Sequence, residues 1–593
     1  MKLCSIAIAL TLAGNTLAQD SESKRLNDFF EEVFQAEVAE SPMRQASLGI
    51  KLDYDKWDDY SVEAAKDDLM RTKRALGRMW TEFDFDKLDS SAQLSYRLFE
   101  SRSTRSIENF RWRLHTYPVN QMHGRHTGLV EFLLNRHRVD DVSDAEAYVT
   151  RLATIDAPLA HLVEKLKACA DLGVVPPKFV FDHVLRDCNN ILSGAPFTES
   201  ESASTLLADF SSKTNKLGLD FETGSALIER AQAALNDVVR PAYEKLIAEL
   251  ERQQAIATTD DGCWKFPNGA AYYSHALRHT TTTDLNAEQI HDLGLSEVER
   301  IHGEMKAIMK QVEFEGDLAQ FFEFMRTDPR FYFSNDAQGR QAYLELATGL
   351  VDNMRERLSE FFVTLPKAAM VVRAVEPFRE QSAGKAFYSI GTPDGSRPGV
   401  YYANLYDMSA MPTYQAEALA FHEGIPGHHM QGSIAQELED MPAFRRHTHY
   451  TAYGEGWGLY TEHFPKEFGF YQDPYSDFGR LAMQLWRACR LVVDTGLHDK
   501  RWTREQAIEY LMTNTPNPES DAIKAIERYI VMPSQATAYQ IGLLKILELR
   551  ELAKRELGDK FNIAQFHDVL LTNGPVPLTL LEELVRDWIR ETR

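Results

Sequence analysis

The chain has 593 residues and a formal net charge of −23 at pH 7, with 44% hydrophobic and 26% charged residues. That balance belongs to a folded globular protein and excludes a disordered or collagen-like chain. A chain so acidic repels phosphate, which excludes nucleic acid and anionic membrane as expected partners.

The first segment reads as an address. "MKLCSIAIALTLAGNTLAQ" carries one lysine, an apolar run, and the small residues Thr16 and Ala18 flanking Leu17. This is the pattern of a secretory signal peptide cut after Ala18, and the run is too short for a membrane span. Cys4 stands too early, and in the wrong context, for a lipid-bearing cysteine. The expected mature protein is periplasmic or secreted, with no membrane attachment after cleavage. Its remaining cysteines, Cys169, Cys188, Cys263 and Cys489, include no C-x-x-C pair. They read as buried thiols or as one or two disulfides whose pairing the sequence leaves open.

Helix dominates the rest of the chain. Apolar residues recur at three- and four-residue spacing across 144–169, 227–253, 290–312, 481–498 and 538–557. Thr503 with Gln506 has the pattern of a capping box. The turn-rich stretch "ATTDDGCWKFPNGAAYY" (257–273) interrupts long helices. It divides the chain into an expected N-terminal helical lobe, 19–260, and a catalytic helical lobe, 261–593. One region departs from helix. "KAFYSIGTPDGSRPGVYYANL" (385–405) sets two aromatic and β-branched runs around a Pro-Asp-Gly and Arg-Pro-Gly cluster, which predicts a β-hairpin. The expected fold class is mainly α with this small β element.

The chemistry concentrates in "AFHEGIPGHHMQ" (420–431). Two histidines four apart on one helix, as in H-E-x-x-H, would grip one metal ion. Here Pro426 occupies the position four after His422, and the next histidines are His428 and His429. On an unbroken helix His422 and His428 would face apart. His422 and His429 would share a face but stand about 10 Å apart along the axis, too far for one ion with ligands about 2 Å away. A metal site therefore requires an interruption. Gly424 tolerates unusual backbone angles. Pro426 cannot continue the helix, though it fits the first turn of a new one. Looping out two residues brings His428 to the place of a second ligand, near a helix N-terminus that keeps imidazole neutral. A third ligand is offered by "YGEGWGLYTEHF" (453–464), where Glu455 and Glu462 stand seven apart on one helix face. Glu455 lies between two glycines, an odd setting for a surface carboxylate. His447 and His449 are nearby rivals for that place, read rather as loop residues or as partners behind the ligands. Imidazole and carboxylate together suit a divalent ion such as zinc.

With "RACRLVVDTGLH" and "FHDVLLTNGPVPLTLLEELV", these segments resemble, in the same order, the bacterial family catalogued as domain of unknown function 885. The resemblance runs over most of the chain and is densest after residue 370. That family is placed among the gluzincin-like metallopeptidases, with the carboxypeptidase Taq, thimet-oligopeptidase and angiotensin-converting-enzyme families as relatives. The resemblance implies a large two-lobed helical fold around a deep cleft, the small sheet beside it, and one Zn2+ ion. It implies His422 and His428 as ligands and Glu423 as general base. "HEGIPGH" is two residues longer than the relatives' H-E-x-G-H, which leaves His429 as an alternative ligand. A zinc-binding Glu seven residues before a second Glu in the relatives points to Glu455. "MPSQATAYQIGLL" (532–544) is similar to a Pro…Tyr-x-x-Gly stretch of the carboxypeptidase Taq family. It implies Tyr539, with Tyr529 second, as stabiliser of the tetrahedral intermediate.

The expected function is an exported zinc peptidase acting on oligopeptides. "GVYYANL" (399–405), taken as an edge strand, would pair with an extended peptide, and Tyr401, Tyr402 and Asn404 would line it. Arg379, Arg487 and Arg490 are candidate anchors for a terminal carboxylate. Two further readings stand beside this one. One is a zinc amidase or esterase on small molecules. The other is a binding protein whose zinc site has decayed.

Overall fold

The structure, a computed structural model, describes residues 3–377, 380, 383–392, 397–438 and 441–593, and the side chains from residue 21 onward. The signal-peptide segment with its cut after Ala18, the Pro393–Gly395 turn and Arg379 lie outside that description in whole or in side chain.

The described residues divide into two compact units. One runs to Asp260 and adds Lys265–Pro267 and Pro442–Phe444. Its predicted helix over 144–169 is two helices, Val142–Ala153 and Asp156–Asp171. The first is capped by Asp141, which accepts from the Asp144 amide. The predicted stretch 227–253 is Phe221–Ala234 and Arg240–Ile256, joined by a wider π turn at Leu235–Val239. Pro241 explains that turn, because it has no N–H to continue the ladder of the preceding helix. Phenylalanines with rings tilted against one another form part of this unit's core. Phe30 packs 4.8 Å from Phe444 and 5.0 Å from Phe99, centroid to centroid.

The other unit carries the remaining residues from Asp261. Six of its helices build or support the candidate site: α1 (Ala287–Gln311), α2 (Ala416–Glu423), α3 (His428–Glu437), α4 (Thr451–His463), α5 (Pro474–His498) and α6 (Ala538–Leu557). The Thr503–Gln506 capping box is present. Helix α5 is buried almost all round, as a central helix must be. Its polar residues nevertheless form one stripe: Asp477, Arg480, Gln484, Arg487, Arg490, Asp494 and His498. Most are paired, as burial requires. Asp477 accepts from Arg480 at 2.8 Å, Asp494 accepts from the Tyr273 hydroxyl at 2.6 Å, and His498 Nε2 meets the Tyr529 carbonyl at 3.0 Å.

Helices α4 and α6 cross backbone to backbone. A Cβ on Gly542 would lie 2.0 Å from the Ala452 carbonyl oxygen and 2.6 Å from the Gly456 Cα. No side chain fits there. Gly542→Val is therefore expected to separate the two helices and destabilise the fold by about 3 kcal/mol or more. A thermal melt followed by circular dichroism checks this, and an unchanged midpoint would contradict the packing described.

The β element has three strands, β1 (Met370–Ala374), β2 (Ala386–Ser389) and β3 (Gly399–Ala403), in the order β1-β3-β2. Strands β2 and β3 are the predicted hairpin pair, antiparallel with Ala386 opposite Ala403. Strand β1 adds in parallel, with Met370 opposite Gly399. This corrects the expectation of β3 as an edge strand. Its main chain is paired on both sides, so an extended peptide cannot add to it. The side chains expected to line that peptide are also engaged. Tyr401 is fully buried, Tyr402 donates to Glu376 at 3.1 Å, and Asn404 donates to the Glu380 and Ala383 carbonyls at 2.7 and 3.1 Å.

All four cysteines beyond residue 20 are free and buried, so the thiol alternative holds and the disulfide one does not. Among the described residues no helix is long and apolar enough to cross a membrane.

Candidate functional site

Helix α2 ends at Glu423, the chain turns through Gly424–Gly427, and α3 opens on His428. The interruption required by the spacing is thus present. Pro426 lies within the turn rather than in the first turn of α3, a small correction to its expected place. Helix α4 holds this turn. The Trp457 indole N–H donates to the Pro426 carbonyl at 3.0 Å, and the Thr461 hydroxyl donates to the Phe421 carbonyl at 3.0 Å. The second bond satisfies a carbonyl that the ending helix leaves open, and the first pins the turn itself. Two glycines permit the close fit. A Cβ on Gly427 would lie 1.9 Å from the His422 carbonyl oxygen, and one on Gly458 would lie 2.6 Å from His422 Cε1.

The result is a three-donor cluster. Nε2 of His422 and Nε2 of His428 stand 3.7 and 3.6 Å from one oxygen of Glu455. Among the described residues His422, His428 and Glu455 form the one group of three or more metal-type donors within 4.8 Å of one another. Donors about 2.0–2.2 Å from a tetrahedral ion stand roughly 3.3–3.6 Å apart, so two imidazoles and a carboxylate at these separations fit zinc. His422 is 5% exposed by side chain, whereas His428 and Glu455 are 23% and 21% exposed, so the cluster is open on one side.

The surroundings favour positive charge at this point. Nδ1 of His422 donates to Glu462 at 2.6 Å, which leaves Nε2 to face the other two donors. Burial alone would lower the His422 pKa, but Glu455 and Glu462 outweigh it and raise it to about 10. Burial would raise the Glu455 carboxyl, yet the two histidines hold it well below the usual carboxylate range. A cation bound among these groups takes the place of a proton. Glu462→Gln keeps the size of the His422 partner and removes its charge. Zinc affinity is expected to fall roughly 10–100-fold, measured by competition with a chromophoric chelator; unchanged affinity would deny Glu462 its orienting part.

His429 points elsewhere. Its Nδ1 lies 3.0 Å from the Tyr388 hydroxyl, which ties α3 to β2, and burial lowers its pKa to about 4. It is not among the three clustered donors. His449 is exposed, and its electrostatic neighbours include Glu455 and His428.

Tyr539 stands in the first turn of α6 with the Arg490 guanidinium over its ring at 4.4 Å. Tyr529 lies on the same guanidinium at 5.7 Å. Burial opposes the Arg490 charge, but Tyr529, Tyr539 and Glu455 together keep its pKa raised. Arg490 thus links Tyr539 electrostatically to the cluster.

Glu423 faces a cavity of about 290 Å³ whose walls include Lys385, Gln415, Trp486, Arg487 and Arg490. Lys385, Gln415, Asn517, Asp521 and Lys524 carry no motif that marks them in the sequence. They come from separate segments, so only the folded chain assembles them.

A family model described as "Bacterial protein of unknown function (DUF885)" matches residues 42–585. A solved structure described as "putative lipoprotein from Colwellia psychrerythraea" is 31% identical with a TM-score of 0.86, covering 96% of this chain and 99% of that one. Another, described as a "putative lipoprotein of unknown function from Shewanella oneidensis", has a TM-score of 0.74 over 95% and 99% of the two chains. At 17% identity it shows a shared fold alone. No curated protein sequence matches the chain.

Proposed function

We propose that this chain, which belongs to the DUF885 family, is an exported metallopeptidase that hydrolyses oligopeptides with Glu423 as its general base. The observation that carries the reading is the His422–His428–Glu455 cluster with Glu423 next in sequence to a ligand and facing a cavity. Kinship with the gluzincin-like metallopeptidases is part of the proposal and rests on the order H-E, H, E and on the His422–Glu462 pair.

His422, His428 and Glu455 would hold one Zn2+ ion. When bound, such an ion supplies Lewis acidity to a carbonyl and to an attacking water. Glu423 takes the proton of that water and delivers it to the leaving amine. Tyr539 donates a hydrogen bond to the carbonyl oxygen as negative charge grows on it. Glu462 fixes the His422 ring, and Trp457 fixes the turn that delivers His428. Export is supported by the signal-like N-terminus and by the 31%-identical solved relative described as a "putative lipoprotein".

A second reading keeps the metal and changes the substrate to a small amide or ester. It draws on the paired state of β3, which removes one peptide-binding edge. A mixed peptide library digested by the mature protein, with and without chelator, separates the two. Chelator-sensitive cleavage is the expected result. Metal-replete protein that spares every peptide but cleaves small amides or esters would favour the second reading.

A further inference from the structure

The chain is acidic as a whole, yet the cavity beside Glu423 is walled by four cations, Lys385, Arg487, Arg490 and Lys524, against two acids, Glu423 and Asp521. Among the described residues, Nε and Nη1 of Arg490 and Nε of Arg487 are buried with no hydrogen-bond acceptor. Their other atoms are engaged: Arg487 Nη1 donates to the Met483 carbonyl at 3.1 Å, its Nη2 lies 3.9 Å from Glu462, and Arg490 lies over the Tyr539 and Tyr529 rings. The nitrogens left without an acceptor are costly to bury, and an anionic ligand in this cavity would offset that cost. Lys385 donates to Gln415, an uncharged partner. Burial lowers its pKa to about 8, and Arg487 adds to the lowering while Asp521 opposes it. Such guanidinium nitrogens call for an anionic acceptor, and a carboxylate supplies two oxygens that can take bonds from separate donors. A second cavity of about 550 Å³ shares Lys385, Gln415, Asn517, Asp521 and Lys524 with the first, which leaves room for a side chain beyond the anion.

We infer that this cavity binds a carboxylate on the leaving residue of the substrate, so that the protein cuts close to an anionic, normally C-terminal, end. The inference rests on the metallopeptidase reading for its scissile bond but not for its binding site. Hydrolysis then balances simply. The amide C–N bond breaks, water supplies the new C–O bond, and Glu423 carries the water's proton to the nitrogen. The leaving residue departs as an amine whose carboxylate lies against Arg487 and Arg490.

The test uses one blocked tripeptide in three forms: free acid, C-terminal amide, and amide with glutamate as last residue. Turnover by the wild-type holoprotein is read as kcat/KM. Calorimetric titration of the Glu423→Gln holoprotein reads binding without turnover. The free acid is expected to exceed the amide by roughly 30-fold or more in both readouts. Recovery by the glutamate amide supports a carboxylate of either source, and no recovery assigns the cavity to the terminal one. Arg490→Gln, with Arg487→Gln as a second variant should the first misfold, is expected to raise KM for the acid and shrink the acid-to-amide ratio. Equal binding and equal cleavage of acid and amide overturn the inference while leaving the metallopeptidase intact. Selective binding of the acid without cleavage of any form overturns the metallopeptidase reading and leaves the carboxylate site.

Discussion

Glutamine in place of Glu423 is expected to lower peptide turnover by roughly 10²–10⁴-fold while the metal bound per chain stays the same. The two effects separate because Glu423 is not among the clustered donors. Its carboxylate instead lines the cavity where a substrate would lie. Glutamine keeps the shape of the side chain and removes its ability to take a proton. Turnover by the purified variant and metal analysis of the same sample check both halves. Full retained turnover would remove Glu423 from the chemistry. Loss of metal along with turnover would make it a structural part of the cluster.

The adjacent histidines should behave as opposites. His428→Ala takes one of three donors from the cluster and is expected to abolish stoichiometric zinc binding, and activity with it. His429→Ala removes a ring buried against Tyr388 and Ser433, so it should lower stability by about 1–3 kcal/mol yet keep the metal. Metal content after dialysis, read beside a thermal melt, distinguishes the pair. Zinc retained by His428→Ala and lost by His429→Ala would reverse the assignment.

The difference between these neighbours is the part of the site that sequence leaves open. Spacing shows that an unbroken helix cannot bring His422 and a later histidine to one ion. It does not say which histidine the interruption delivers. Two bonds from α4 fix where the turn goes, one from Trp457 and one from Thr461. Neither residue has a pattern that announces such a task. The long helices are legible because their apolar faces repeat locally. The β2–β3 pair is legible for the same reason, being joined by a short turn-rich segment. Strand β1 is not. It is five residues long, and its parallel partner is separated from it by the whole of β2. Parallel pairing is non-local and leaves no turn signature. Without β1, β3 looks like an edge, and Tyr401, Tyr402 and Asn404 gain a peptide-binding part that the sheet denies. The cavity lining is illegible on the same grounds, since Lys385, Gln415 and Asp521 meet only in the folded chain.

The most direct measurement is a crystal of the mature protein soaked in zinc, with diffraction collected on both sides of the zinc absorption edge. One anomalous peak is predicted, about 2 Å from Nε2 of His422, Nε2 of His428 and a carboxylate oxygen of Glu455. A peak bound instead by His429, or no peak at the cluster in zinc-replete crystals, would contradict the metal centre on which the proposed chemistry depends.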